Sequence, residues 1–303
     1  MPVLTNDLVV INDLSACKPI VTPVLNQSAP TDLPEQANQL PAAPRVMPAI
    51  AYTDQPPFPM SHARILYNTV TAGASVVATA GDNPAFALTP NTWERWEFSG
   101  TQSLTITLAS SQSIDALGIG SVVAIGSPVL IEYSATLAGS FLPFTASQTN
   151  SQSAMLFLRS APVTVRRIRI TVTGAVPGYI GVIYAGIALQ MQHPIYSGVN
   201  PLVLNRVTDY FNSRTESGQW IGRSIRRRGL ESTLSFSRLT APWYRQYFDL
   251  FVQAARVGPF FFAWRPNEYP ADVAYCWTDS DIQVSNSGTL NHMAVSFSVK
   301  AHS

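Results

Sequence analysis

The sequence is poor in charge. Only 12% of its 303 residues are Asp, Glu, Lys or Arg, about half the share in an ordinary soluble protein. The formal net charge is +1, so no global field draws the chain to nucleic acid or to an anionic membrane. Lysine is almost missing: all but two of the 19 basic residues are arginine. Arginine suits ion pairs at interfaces. We therefore expect a surface that is rich in hydroxyl groups or covered by neighbouring subunits.

Cysteine and long apolar runs are scarce as well. Cys17 and Cys276 lie far apart and form no disulfide framework or CxxC zinc pattern, which favours a reducing compartment. The N-terminus has no basic region and no small-residue cleavage site, so we expect no secretory signal. The longest apolar run, residues 116–131, is broken by glycine, serine and proline. It predicts two buried strands and no membrane span, hence a soluble protein.

The motifs of common enzyme classes are absent. The sequence has no GxSxG elbow, HExxH motif, P-loop or dinucleotide fingerprint. A general base needs a positioned partner, and the four histidines stand beside prolines, linkers or strand ends. These histidines are His62, His193, His292 and His302. We predict no catalytic residue and no enzyme activity.

Two short acidic patterns are candidates for a cation site. Asp279 and Asp281 form an Asp-x-Asp pair, and Asp82 with Asn83 lies in a GDNP loop. Calcium takes six or more oxygen ligands, which neither pattern supplies by itself. A solvated turn is the preferred interpretation, and we predict no metal and no cofactor.

Residues 1–60 differ in composition from the rest. Prolines recur from Pro19 to Pro59 and leave no helical period longer than a turn or two. Such a segment is an extended arm, semi-stiff where proline is dense. A disordered tail and an arm that crosses a neighbouring subunit both fit. The scattered apolar residues favour the arm: Leu8, Val9, Ile20, Val24, Leu40, Val46 and Ile50.

Residues 61–193 read as one strand after another. Apolar runs recur about every ten residues with Gly, Ser, Asn and Pro between them, which predicts a β-sandwich or barrel. The run NTWERWEFSGTQSLTITLASSQSIDALGIGSVVAIGSPVLIEYSATLAGSF, the strand RRIRI and a glycine-bearing strand over residues 180–190 resemble the galactose-binding-like (discoidin-type) jelly roll. The resemblance covers about 130 residues and implies a sandwich fold.

Residues 194–303 predict a small α+β barrel or sheet with one helix against it. Thr240 and Pro242 mark the helix start, and Gly258 with Pro259 its end. The predicted buried face holds Trp243, Tyr247, Leu250, Phe251 and Ala254. The next strand, FFFAWRP, is apolar on both faces, as in strands covered on two sides.

This C-terminal part resembles the baseplate hub domain of distal tail and related tail-tip proteins of long-tailed, siphophage-type bacteriophages. The strand ESTLSFSRL, the helix APWYRQYFDLFVQAA, and the strands GPFFFAWRP, VAYCWTD and HMAVSFSVK carry the resemblance. It implies a ring around the tail axis, with edge strands pairing between subunits. In distal tail proteins the hub domain usually comes first, whereas here the order is reversed.

Three aromatic residues are candidates for glycan binding. Sugar rings stack on exposed aromatics at the loop end of a jelly roll, and Trp93, Trp96 and Tyr133 are the rings available. Trp93 and Trp96 are three apart in a predicted strand, so they face opposite sides and at least one belongs to the core.

Four arginines are candidates for a subunit interface. Arg223, Arg226, Arg227 and Arg228 cluster just before the strand predicted to begin at Gly229. Three alternatives fit this cluster. It is a solvated hairpin, it pairs with acidic groups of an adjacent ring subunit, or it binds nucleic acid. We predict no specific nucleic acid, because four arginines make a short patch.

The functional prediction is a structural virion protein of a phage tail tip, assembled in the bacterial cytoplasm. A homo-oligomeric ring of three or six subunits would contact other tail-tip, tube or fibre proteins, and the jelly roll would touch fibres or a host surface glycan. The alternatives are a stand-alone carbohydrate-binding module and, third, a polysaccharide hydrolase, for which no carboxylate pair is marked.

Overall fold

The computed structural model describes residues 60–122, 126–195, 199–287 and 291–302, which all fall in one compact unit. The fold is mainly β with one helix, as the sequence predicts. All of the predicted arm except Met60 lies outside the described residues, and so does Cys17.

Two sheets make up the described fold. The first contains six strands: β2 (Ser75–Ala78), β3 (Trp96–Val122), β4 (Pro128–Ser134), β5 (Leu142–Pro143), β6 (Gln148–Thr149) and β7 (Ala154–Gly186). The second contains eight: β1 (Arg64–Leu66), β8 (Leu189–Gln190), β9 (Arg206–Arg214), β10 (Trp220–Thr240), β11 (Phe260–Ala263), β12 (Val273–Trp277), β13 (Gln283–Ser287) and β14 (His292–Ala301). Short 3₁₀ turns cover Pro84–Leu88 and Leu202–Leu204.

The first sheet has the order β2-β3-β7-β4-β5, with β6 beside β4. Leu104 lies opposite Ile170 and Ile106 opposite Ile168, so β3 and β7 run antiparallel over these residues. These four side chains are fully buried while the residues between them are more exposed, the period-two pattern of a strand with one buried face.

The second sheet has the order β8-β1-β11-β12-β14-β10-β9, with β13 beside β14. Its strands β1 and β8 come from residues 61–193, the segment predicted as the β-sandwich, yet β1 pairs with both β8 and β11. Backbone pairing therefore crosses the boundary expected at residues 193 and 194, and the division into two domains stays a prediction.

The helix differs in detail from the expectation. It runs as α1 (Ala241–Trp243), a π-helical turn (Tyr244–Phe248) and α2 (Asp249–Ala255). The Thr240 hydroxyl does not cap it, because this oxygen is hydrogen-bonded to the amide of Gln192 instead.

The buried helix face is centred one residue later than predicted. It holds Ala241, Tyr244, Phe248, Phe251, Val252 and Ala255. Leu250, which was expected inside, is 53% exposed, and Trp243 and Tyr247 are only partly buried.

The prediction for the aromatic strand β11 is confirmed. Phe260 and Phe262 pack into the core under the helix, whereas Phe261 and Ala263 pack into a separate core against the first sheet. A Cβ added to Gly118 of β3 would lie 2.7 Å from the ring of Phe261, so this contact requires glycine.

Candidate functional site

An exposed tryptophan lies on a loop whose backbone is hydrogen-bonded to a side chain of each sheet. Trp93 lies between the 3₁₀ turn Pro84–Leu88 and β3, and it is 91% exposed. The Tyr275 hydroxyl donates a hydrogen bond to the Pro90 carbonyl (2.8 Å), and the Ser121 hydroxyl donates one to the Thr92 carbonyl (3.4 Å). The backbone before Trp93 is thereby held to both sheets, while its indole is left in solvent.

Polar groups flank this tryptophan. Glu94 accepts hydrogen bonds from the hydroxyl of Thr89 (3.1 Å) and the amide of Asn91 (3.3 Å). The Arg95 guanidinium pairs with Glu97 at 2.6 Å and lies over the ring of Tyr179, 4.2 Å from its centroid. The loop thus carries an exposed aromatic ring together with a carboxylate and a guanidinium group held by other side chains, and aromatic rings with a few placed polar groups are common in small-molecule sites. We call residues 89–97 the Trp93 loop.

The other two glycan candidates are placed differently. Trp96 is fully buried, and its indole Nε1 donates to the Ala80 carbonyl (3.1 Å). Tyr133 is partly buried, edge-on to Phe144 with ring centroids 6.2 Å apart. The strand predicted over residues 93–98 begins at Trp96, which leaves Trp93 in the preceding loop. Of the three candidates, Trp93 alone presents a largely exposed ring.

The four arginines lie inside a strand, not before one. β10 begins at Trp220 and pairs with β9, so the strand start expected at Gly229 was wrong. The β9–β10 hairpin, residues 206–228, is exposed along most of its length. Polar and basic residues do not mark a strand by composition, and the pairing with β9 is what fixes it.

The register distributes these arginines over two faces. Arg228 lies opposite Thr208 and Arg227 opposite Asp209, which are neighbours in β9 and therefore point to opposite faces. Arg223 covers the Tyr210 ring at 4.3 Å on the first face. On the second, Arg226 covers the Phe211 ring at 4.9 Å.

The Asp-x-Asp pair forms ion pairs with basic side chains, and two of the four histidines have lowered pKa values. Asp281 forms a bidentate pair with Arg256 (3.1 and 3.3 Å), and Asp279 pairs with Lys300. Burial lowers the pKa of His302, and burial together with the nearby His62 lowers that of His193. Among the residues described, no group of three or more His, Cys, Asp or Glu side chains could hold a metal ion.

Sequence reasoning missed Asp115 and the polar residues of the Trp93 loop with their contacts. Asp115 is buried, and burial raises its pKa to about 6 against the opposing effects of the Ala188 amide and of Arg64. Glu94 and Arg95 follow Trp93 directly and were readable as a polar aromatic loop. Tyr179 carries no sequence signal, because it reaches Arg95 only through the pairing of β3 with β7.

No protein-family model matches the sequence, and the search of curated proteins finds no match. Solved structures do match part of the chain. A pectin-binding carbohydrate-binding module aligns at 19% identity and a TM-score of 0.33, covering 37% of this chain and 88% of the module.

Two family 32 carbohydrate-binding modules give similar values. The module of AlyQ, in complex with 4,5-unsaturated mannuronic acid, aligns at 23% identity and a TM-score of 0.34, over 40% of this chain and 96% of the module. The module of NanJ from C. perfringens, in complex with galactose, aligns at 16% identity and 0.34, over 41% and 98%. All these TM-scores are below 0.5, so none decides what this chain binds.

The helices of the described residues are too short or too polar to span a bilayer.

Proposed function

We propose that the chain binds carbohydrate through the Trp93 loop. The observation that supports this is the 91% exposed indole of Trp93 on a backbone that Tyr275 and Ser121 hold in place. An aromatic ring on a loop whose backbone is already held binds a sugar face without the entropic cost of ordering that loop first. Glu94 and Arg95 follow Trp93 in the same loop and supply an acceptor and donors for sugar hydroxyls.

The test is a calorimetric titration of the full chain with oligosaccharides of galactose, mannuronate, chitosan and pectin. We expect at least one to bind, and Trp93→Ala to weaken it at least tenfold, about 1.4 kcal/mol. Trp220→Ala is the matched control, since Trp220 is 65% exposed in the β9–β10 hairpin. Equal loss in both variants, or no binding by the unmodified chain, contradicts the proposal.

A second candidate function is that of a structural protein in a phage tail tip, present in the virion and assembled in the host cytoplasm. The exposed β9–β10 hairpin favours it, because Tyr210, Phe211, Trp220, Ile221 and Ile225 leave large apolar surface uncovered in the described chain. The hub-domain resemblance and the ring of three or six subunits belong to this proposal. Native mass spectrometry of the purified chain measures the subunit number directly.

A further inference from the structure

The charge of this chain is separated into two segments. The β9–β10 hairpin has a net charge of +4 from six arginines against Asp209 and Glu216: Arg206, Arg214, Arg223, Arg226, Arg227 and Arg228. Residues 1–59 have a net charge of −3, from Asp7, Asp13, Asp32, Glu35 and Asp54 against Lys18 and Arg45. The remaining residues balance, with 11 acidic and 11 basic side chains. The two segments are therefore complementary.

The hairpin charge has no counterpart in the described fold. None of Arg223, Arg226, Arg227 and Arg228 forms an ion pair with a carboxylate among the described residues. The guanidinium groups of Arg223 and Arg226 lie over the rings of Tyr210 and Phe211, and these contacts leave their charge unneutralised. The hairpin thus presents ordered positive charge that a negatively charged partner can use.

A groove with both apolar and polar lining accompanies this charge. A groove of about 590 Å³ lies between the hairpin and the first sheet, and its lining includes Val122, Ser153, Tyr210, Ile225 and Arg228. Exposed apolar surface next to uncompensated charge is typical of a protein interaction site. The occupant should therefore be acidic and should also carry apolar side chains.

Residues 1–59 have both properties, since their acidic residues alternate with scattered Leu, Val and Ile. The chain enters the described fold at Met60, whose carbonyl accepts a hydrogen bond from the Asn267 amide next to β11. β1, which follows Met60, is five strand positions from β9 in the sheet, about 24 Å at the usual strand spacing. The point at which the segment joins the described fold is thus separated from the hairpin of the same chain by most of the second sheet.

We propose that the β9–β10 hairpin is the docking surface for residues 1–59 of a second copy of this chain. The acidic side chains of that segment pair with the hairpin arginines, and its apolar residues cover Tyr210 and Ile225. This inference does not rest on carbohydrate binding, because the Trp93 loop is a separate surface. It supplies the subunit contact that the second candidate function requires.

A charge-swap experiment on the full chain tests the proposal. One variant reverses the hairpin (Arg226→Glu, Arg227→Glu, Arg228→Glu), and the other reverses the segment (Asp7→Lys, Asp13→Lys, Asp32→Lys, Glu35→Lys). Sedimentation velocity at low salt should show association of the unmodified chain and at least tenfold weaker association of either variant alone. An equimolar mixture of the two variants should associate again, because the reversed charges are complementary.

The control variant Arg166→Glu/Arg245→Glu changes two arginines outside the hairpin and should associate like the unmodified chain. Circular dichroism verifies that each variant is folded. A mixture that stays monomeric overturns the proposal. An unmodified chain that is monomeric at about 100 µM overturns it too, because even a weak subunit contact has a dissociation constant on the order of this concentration. Association that disappears on nuclease treatment also overturns it, because the occupant is then nucleic acid.

Discussion

At the scale of single residues, Asp115 shows how burial opposes a neighbouring charge. Its carboxylate Oδ1 accepts a hydrogen bond from the Ala188 amide at 2.8 Å, which favours the charged form. Arg64 favours that form as well, but the loss of hydration outweighs both effects and raises the pKa to about 6. The folded state therefore holds this proton to a higher pH than the unfolded chain does.

The pH dependence follows from this shift. Between the ordinary Asp pKa of 3.8 and about 6, the folded state binds more protons at Asp115 than the unfolded state. The contribution of this group to stability is therefore fully present below pH 3.8 and is lost as the pH rises through about 6. The loss is on the order of 3 kcal/mol at most.

We predict that Asp115→Asn removes this dependence, since an amide oxygen still accepts the Ala188 hydrogen bond. Urea unfolding of both proteins at pH 4, 5, 6 and 7 measures it. The free energy of unfolding of the unmodified chain should fall relative to the variant as the pH rises through this range. A relative increase instead would mean that the Arg64 charge dominates.

At the scale of elements, the strands were more readable than the helix. In β11 the period of two is fixed by backbone geometry, so Phe260, Phe261 and Phe262 alternate as the sequence predicts. The helix was read with 3.6 residues per turn, and its buried residues Tyr244, Phe248, Phe251 and Ala255 keep that spacing. The predicted face was one residue too early, because Trp243 and Tyr247 are as apolar as Tyr244 and Phe248 and the spacing alone does not choose between the two sets.

The residues of the candidate sites could be predicted from the sequence, but their surroundings could not. Trp93 and the four arginines could be selected by residue type, but their surroundings depend on distant pairing. The loop is held by Tyr275, and Arg226 is stacked on Phe211 of another strand. The sequence around each residue does not indicate its contact, because the partner lies in a different strand.

The approach of β3 to β11 gives a prediction at this scale. A Cβ at Gly118 would lie 2.7 Å from the Phe261 ring, so Gly118→Ala should lower the free energy of unfolding by about 1–3 kcal/mol. Gly120→Ala should cost less, because its nearest contact would be 3.3 Å. Gly222→Ala, with nothing within 4 Å, is the control and should change stability by less than about 0.5 kcal/mol. Urea unfolding ranks the three, and equal effects would contradict the packing argument.

At the scale of the whole molecule, the two sheets share a core. Leu66, Phe261 and Tyr275 of the second sheet pack with Ala116 and Tyr184 of the first. The Tyr184 and Tyr275 rings meet edge-on, with centroids 5.9 Å apart. Separating the sheets would expose all these side chains to water, so neither sheet can leave the other without losing its burial.

We therefore predict that the described fold unfolds in one cooperative transition. Hydrogen exchange in rising urea, followed by mass spectrometry, compares the amides of β3 and β7 with those of β10 and β14. Both sets should open at the same urea concentration, because the shared core couples them. Phe261→Ala should shift both sets together by about 3–5 kcal/mol. Phe86→Ala, at a residue that is 39% exposed, should shift neither set appreciably. If the second sheet opened first and left the first sheet protected, the shared core would be too weak to couple them, and the chain would consist of two independently folding domains.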